Sequence, residues 1–151
     1  MTRLLFPVAL GIIVSVAATS GAPARTLASK TVTDVRKACQ IKVPDEWTDQ
    51  TGTAYGPGKR VSATVHAGRA GQTFDQAKAA AKTAMKPVQI RQDDAKRIEY
   101  TFDPGNLGGA GKYGLYVVLN TSPVCSVSFI FPAGTDDDVL KKITESLAVV
   151  K

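Results

Sequence analysis

"VSATVHAGRAGQTFDQAKAAAKTAM", Val61 to Met85, changes its period midway, and that change decides the fold class. Val61, Ala63, Val65 and Ala67 alternate with Ser62, Thr64 and His66, the period of a strand with one buried face. From Thr73 onward the apolar positions fall at Phe74, Ala77, Ala81 and Met85, which form one stripe of a helix. Lys78 and Lys82 lie on its far side. Thr73 and Gln76 have the spacing of a capping box, and Pro87 limits the helix at its other end.

Working outward, the strand at Val61–Ala67 is the return arm of a hairpin. A short strand reaches Tyr55, and Gly56-Pro57-Gly58 makes the turn. Upstream, in "ACQIKVPDEW" (38–47), Cys39, Ile41 and Val43 alternate with Gln40 and Lys42, and Pro44 ends the strand. Residues 25–38 are polar and read as a lead-in with room for a helical turn. Downstream, Val88 and Ile90 resume the alternation, and Asp93-Asp94 turns the chain into Ile98, Tyr100 and Phe102. After the glycine-rich loop 104–111, "KYGLYVVLN" is too continuously apolar to alternate, as a central strand would be. Thr121-Ser122-Pro123 turns, and Cys125, Val127, Phe129 and Phe131 alternate with Ser126, Ser128 and Ile130. A closing helix takes Thr135 as its N-cap and Asp136 to Asp138 in its first turn, and it buries Val139, Leu140, Ile143 and Leu147. The order is β-β-β-α-β-β-β-β-α with short links. That predicts an α+β class: one domain over 39–151, a mainly antiparallel sheet covered by two helices.

The first residues belong to a different category. "MTRLLFPVALGIIVSVAATSGAPA" has one early cation, Arg3, an apolar run from Leu4 to about Ala18, and then small residues. This is the layout of a cleaved secretory signal peptide over 1–24, with cleavage after Ala18 as the competing position. The run is shorter than the ~20 residues that span a bilayer, so no stable membrane span is expected in the mature chain. Cys39 lies well beyond the apolar run, behind Arg36, Lys37 and Ala38, which excludes a lipid anchor there. Cleavage after Ala24 leaves 18 Lys and Arg against 13 acids, a net charge of +5. The cations are interspersed with acids and not interleaved with aromatics, so nucleic acid is not an expected partner. Attraction to an anionic envelope component fits the charge.

Both cysteines occupy the apolar phase of their strands. In an exported chain with an even count, a Cys39–Cys125 disulfide is the default, and two buried free thiols are the alternative. No close Cys-x-x-Cys is present for redox work. His66 is the sole histidine, too few ligands for zinc even with the cysteines, and no nucleophile elbow accompanies it. "GNLGGAGKYG" departs from the phosphate-loop pattern: Asn106 stands where a glycine is needed, Tyr113 where Ser or Thr is needed, and a strand follows in place of a helix. Asp136–Asp138 complement a helix dipole and lack the spacing of a calcium loop. No catalytic, metal or cofactor site is expected.

A strand ending in Val43-Pro44 with Trp47 after it, a hairpin, a helix at "TFDQAKAAA", several strands and a closing helix ending "ITESLAVV" together resemble the PsbP-like α/β/α sandwich family over roughly 39–150. The resemblance implies binding, assembly or accessory roles and carries no residue-level site. The chain thus reads as an exported, periplasmic or secreted, non-enzymatic binding or accessory protein. Its expected partner is another envelope protein or an anionic envelope component, met through a sheet face or loop 104–111. Candidate contact residues are Trp47, Tyr113 and Tyr116, with Trp47 also readable as a core anchor. The alternatives are a small hydrolase built around His66 and a purely structural envelope protein.

Overall fold

Apolar alternation builds strands here wherever one side of the chain can be buried, and the computed structural model shows which side each strand commits. It describes residues 28–107 and 111–151; the leader read over 1–24 and positions 108–110 of the glycine-rich loop lie outside the described residues. In chain order the elements are β1 (Ser29–Thr33), β2 (Cys39–Pro44), β3 (Thr48–Gln50), β4 (Thr53–Tyr55), β5 (Ser62–Ala67), α1 (Phe74–Met85), β6 (Pro87–Asp93), β7 (Arg97–Phe102), β8 (Tyr113–Leu119), β9 (Cys125–Phe131), α2 (Asp137–Glu145) and β10 (Ala148–Val149).

The strands form two antiparallel sheets. The larger has seven strands in the order β3-β4-β5-β9-β8-β7-β6, and the smaller has three, β1-β2-β10. The small sheet and α2 lie together on one face of the large sheet. Val32, Ile41 and Val43 from the small sheet and Leu140 and Ile143 from α2 bury Val65, Leu115, Val117, Val127 and Phe129. α1 covers part of the opposite face, where Phe74 and Ala81 pack on Ile98, Tyr100, Phe102 and Val118. The class is α+β, as the element order predicts.

Four local readings need correction. Residues 29–33 are a strand, not a helical turn, because Val32 reaches the core at 3% exposure and the segment pairs with β2 from Ser29↔Pro44 to Thr33↔Gln40. One sheet becomes two, since β2 pairs with β1 and β10 and not with the hairpin that follows it. The N-cap of α2 is Asp136, whose carboxylate accepts from the Asp138 N–H at 2.9 Å, while the Thr135 hydroxyl donates to Pro132 O. β6 is a strand, but Val88 and Ile90 are 73% and 49% exposed, because β6 is the sheet's outer edge. The reading of α1 matches: Thr73 accepts from the Gln76 N–H and the Gln76 side chain accepts from the Thr73 N–H.

The disulfide joins the two sheets. Cys39 on β2 and Cys125 on β9 are bonded, with Cα atoms 5.6 Å apart and both residues at 0% exposure. Before β2 the chain is held by Asp34. Its buried carboxylate accepts from the N–H groups of Ala38 (2.7 Å), Cys39 (2.8 Å) and Arg36 (3.0 Å), which closes the β1–β2 turn.

One glycine is required by contact. Gly114 sits opposite Phe102, and a Cβ at 114 would lie 2.5 Å from the Phe102 ring. Phe102 is itself only 3% exposed and has little room to yield. We expect Gly114→Ala to lower stability by about 1–3 kcal/mol, the usual range for overpacking. Adding Phe102→Leu should recover part of the loss, and a double-mutant cycle in urea would measure the coupling.

Candidate functional site

Tyr113 opens β8 at the end of the large sheet. Leu115 and Val117, next along the same face, are buried beneath the small sheet and α2, but that cover stops short of Tyr113, which is 56% exposed. Its ring stacks on buried Phe131 with centroids 6.2 Å apart, so one side of the ring is held and the other is open. Val88 and Tyr113 share a depression of about 380 Å³ with Thr101, Phe102, Asp103 and Lys112. Leu107, at the start of the glycine-rich loop, is exposed as well.

The edge strand explains why these side chains reach solvent. Pro87 begins β6 and has no N–H to offer, and the β6–β7 register slips between Pro87 and Gln89 and again between Ile90 and Gln92. A proline and bulges of this kind discourage a foreign strand from pairing along an edge. This end of the sheet is therefore suited to recognition by side chains and not to strand addition. A second groove on the same face lies between α2 and β7. Its charges are largely paired within it: Arg97 and Arg91 both contact Glu99, the latter at 3.8 Å.

The other two aromatic candidates sit differently. Trp47 is 4% exposed and its indole packs on Gly56, where an added Cβ would come within 3.2 Å of the ring. It is a core anchor, and its side chain is not on offer to a partner. Tyr116 is half-buried on the α1 side, with its ring 5.6 Å from that of Tyr100 and its hydroxyl donating to Ser126 Oγ at 3.1 Å. Of the three, the fold exposes Tyr113. Val88 is the neighbour that sequence reasoning missed, because its alternation with Ile90 looked like a core face. Pro87 at the head of the strand was the available sign of an edge.

His66 on β5 stands opposite Ser126 on β9, at the mouth of a cleft of about 270 Å³ between the sheet and the alanines of α1. Desolvation pulls the imidazole below its ordinary pKa against an opposing pull from Asp34, and burial pushes the Tyr116 phenol up against its bond with Ser126. At neutral pH the imidazole is neutral and the phenol protonated. A hydrolytic triad would need Ser126 bonded to His66 and an acid bonded to His66 in turn. Among the described residues no hydrogen bond joins Ser126 to His66 or His66 to an acid: Ser126 Oγ accepts from the Tyr116 hydroxyl, and the Asp34 carboxylate accepts from N–H groups of the β1–β2 turn.

No family model matches the chain, and no curated protein matches it. Among solved structures, the chain is similar to the solution structure of cyanobacterial PsbP (CyanoP) from Synechocystis sp. PCC 6803, at a TM-score of 0.47 and 12% identity, over 92% of this chain and 99% of that one. No helix among the described residues is long and apolar enough to cross a membrane.

Proposed function

We infer that this is an exported, non-enzymatic binding protein that docks another envelope protein at the Tyr113 end of its large sheet. The observation that carries the reading is the exposed Tyr113 ring, backed by Phe131 and flanked by exposed Val88. A rigid aromatic seated on a buried partner and open on its other side is the kind of anchor on which protein interfaces concentrate their binding energy. Leu107, also exposed, adds a further apolar side chain to the described part of the 104–111 loop. Export is supported by the leader pattern over residues 1–24 and by the Cys39–Cys125 disulfide, which belongs to an oxidising compartment.

The test is recovery of a cross-linked partner by tagged protein from its native envelope fraction. We expect wild type to recover a reproducible partner, and Tyr113→Ala with Val88→Ser to reduce that recovery at least fivefold while melting within a few degrees of wild type. Equal recovery by the two proteins, or no partner with either, would refute the assignment.

A further inference from the structure

The α1 side of the large sheet is only half covered, and its uncovered half has a definite chemistry. α1 packs over β7 and β8. Beyond its alanine flank, β4, β5 and β9 turn their polar phase outward. Register places Thr53 opposite Thr64, Thr64 opposite Ser128, and Ser128 opposite Tyr116. One row of hydroxyl-bearing side chains therefore crosses four strands at the ~4.8 Å strand spacing. The first step is closed by a Thr53–Thr64 hydroxyl contact of 3.1 Å. His66 and Ser126 begin a parallel row beside it.

Charge brackets this uncharged field. At one end the Lys59 ammonium lies 5.9 Å from the centroid of the Tyr55 ring, and Tyr55 is on the same side of β4 as Thr53. At the other end Arg69 lines the His66 cleft. No Asp or Glu lines that cleft; Asp75, Asp93 and Asp94 gather around a separate depression at the start of α1. Asp34, near His66, is buried and bound by three N–H groups.

We propose that this half-face binds a carboxylated polysaccharide, with uronate carboxylates meeting Lys59 and Arg69 and sugar hydroxyls meeting the Thr53–Thr64–Ser128 row, which Tyr116 closes with its hydroxyl turned to Ser126. A row of hydroxyls both donates and accepts, which suits a polyol. Two separated cations suit a polymer with spaced single charges. A nucleic acid or polyphosphate is held through many phosphate contacts and calls for clustered cations.

The test is calorimetric titration of the oxidised protein with hexameric oligogalacturonate, with neutral hexameric galactan and polyphosphate as separate arms. Binding of the uronate with little or none of the galactan is expected. Lys59→Glu with Arg69→Glu should weaken it at least tenfold, and Ser128→Glu, which places a carboxylate in the hydroxyl row, should do the same. Lys96→Glu with Lys141→Glu, cations outside this face, should stay within twofold of wild type. Tyr113→Ala should leave uronate binding unchanged, which separates this site from the proposed protein interface. The proposal is overturned by absence of uronate binding, by equal galactan binding, by tighter polyphosphate binding, or by equal losses in the two lysine-bearing double variants. Full binding by Lys59→Glu with Arg69→Glu would overturn it too.

Discussion

Replacing Cys39 and Cys125 together with alanine should lower the unfolding free energy by about 4–5 kcal/mol on the chain-entropy account of cross-links. The bond closes a loop with a sequence separation of 86 residues, so the reduced unfolded chain regains a large conformational freedom. The bond is also structural in a second sense. β2 belongs to the small sheet and β9 to the large one, and the disulfide ties the two sheets inside the core they share. Its loss should therefore loosen the packing of Ile41 and Val43 on Val127 as well as lengthen the free chain. For a domain of this size the expected fall in melting temperature is roughly 15 °C. Urea unfolding of the oxidised wild type against the double variant checks the figure. A difference below about 1 kcal/mol would mean that the sheets hold each other without the bond.

The second large effect belongs to Asp34. Burial by itself would raise its pKa, but the N–H groups of Cys39, Arg36 and Ala38, with help from the Arg36 charge, bring it below the ordinary 3.8. Asp34→Ala removes the acceptor from three N–H groups at once and should cost about 3–5 kcal/mol, since bonds to a charged acceptor count for more than neutral ones. Asp34→Asn keeps an acceptor without the charge and should fall between the two. The pH dependence has a definite sign. A carboxylate whose folded pKa lies below its unfolded one contributes its full stability at neutral pH, and that contribution is lost as pH falls through the folded value. Wild type should accordingly lose more stability than Asp34→Asn between about pH 5 and pH 2. Parallel acid limbs for the two proteins would show that Asp34 is not the group that titrates.

Parts of this fold could be read from the chain because the signal was local. Thr73 and Gln76 are three residues apart and cap α1 whatever packs on it. Cys125, Val127, Phe129 and Phe131 face one core because every second residue must. The shared apolar phase of Cys39 and Cys125 likewise pointed to the bond they make. What was lost depends on partners distant in sequence. The alternation of Cys39, Ile41 and Val43 reads the same whichever sheet takes β2, so the division into two sheets was not visible. In "SKTVT" a single apolar residue, Val32, faces the core, too little to mark a strand by periodicity. At Val88 and Ile90 the alternation was genuine, but no layer lies over the edge strand to bury it.

The candidate site shows the same division. Tyr113 was visible as an aromatic beside a glycine-rich loop; its exposure and its seat on Phe131 came only with the β8–β9 register. Trp47 could be read two ways from sequence, and its contact with Gly56 decides for the anchor. The hydroxyl row is a product of register alone. Thr53, Thr64, Ser128 and Tyr116 have no common spacing in the chain and become neighbours only when four strands align.

The central claim, that the Tyr113 end of the sheet is the docking surface, is tested most directly by site-specific photo-cross-linking in the native exporting cell. A photoreactive phenylalanine would be placed at position 113 and, in a separate protein, at Val35, which is 71% exposed and lies in the turn after β1. A discrete adduct with one envelope protein from position 113 and none from position 35 is the predicted result. Equal adducts from both positions, or an adduct from position 35 alone, would contradict it.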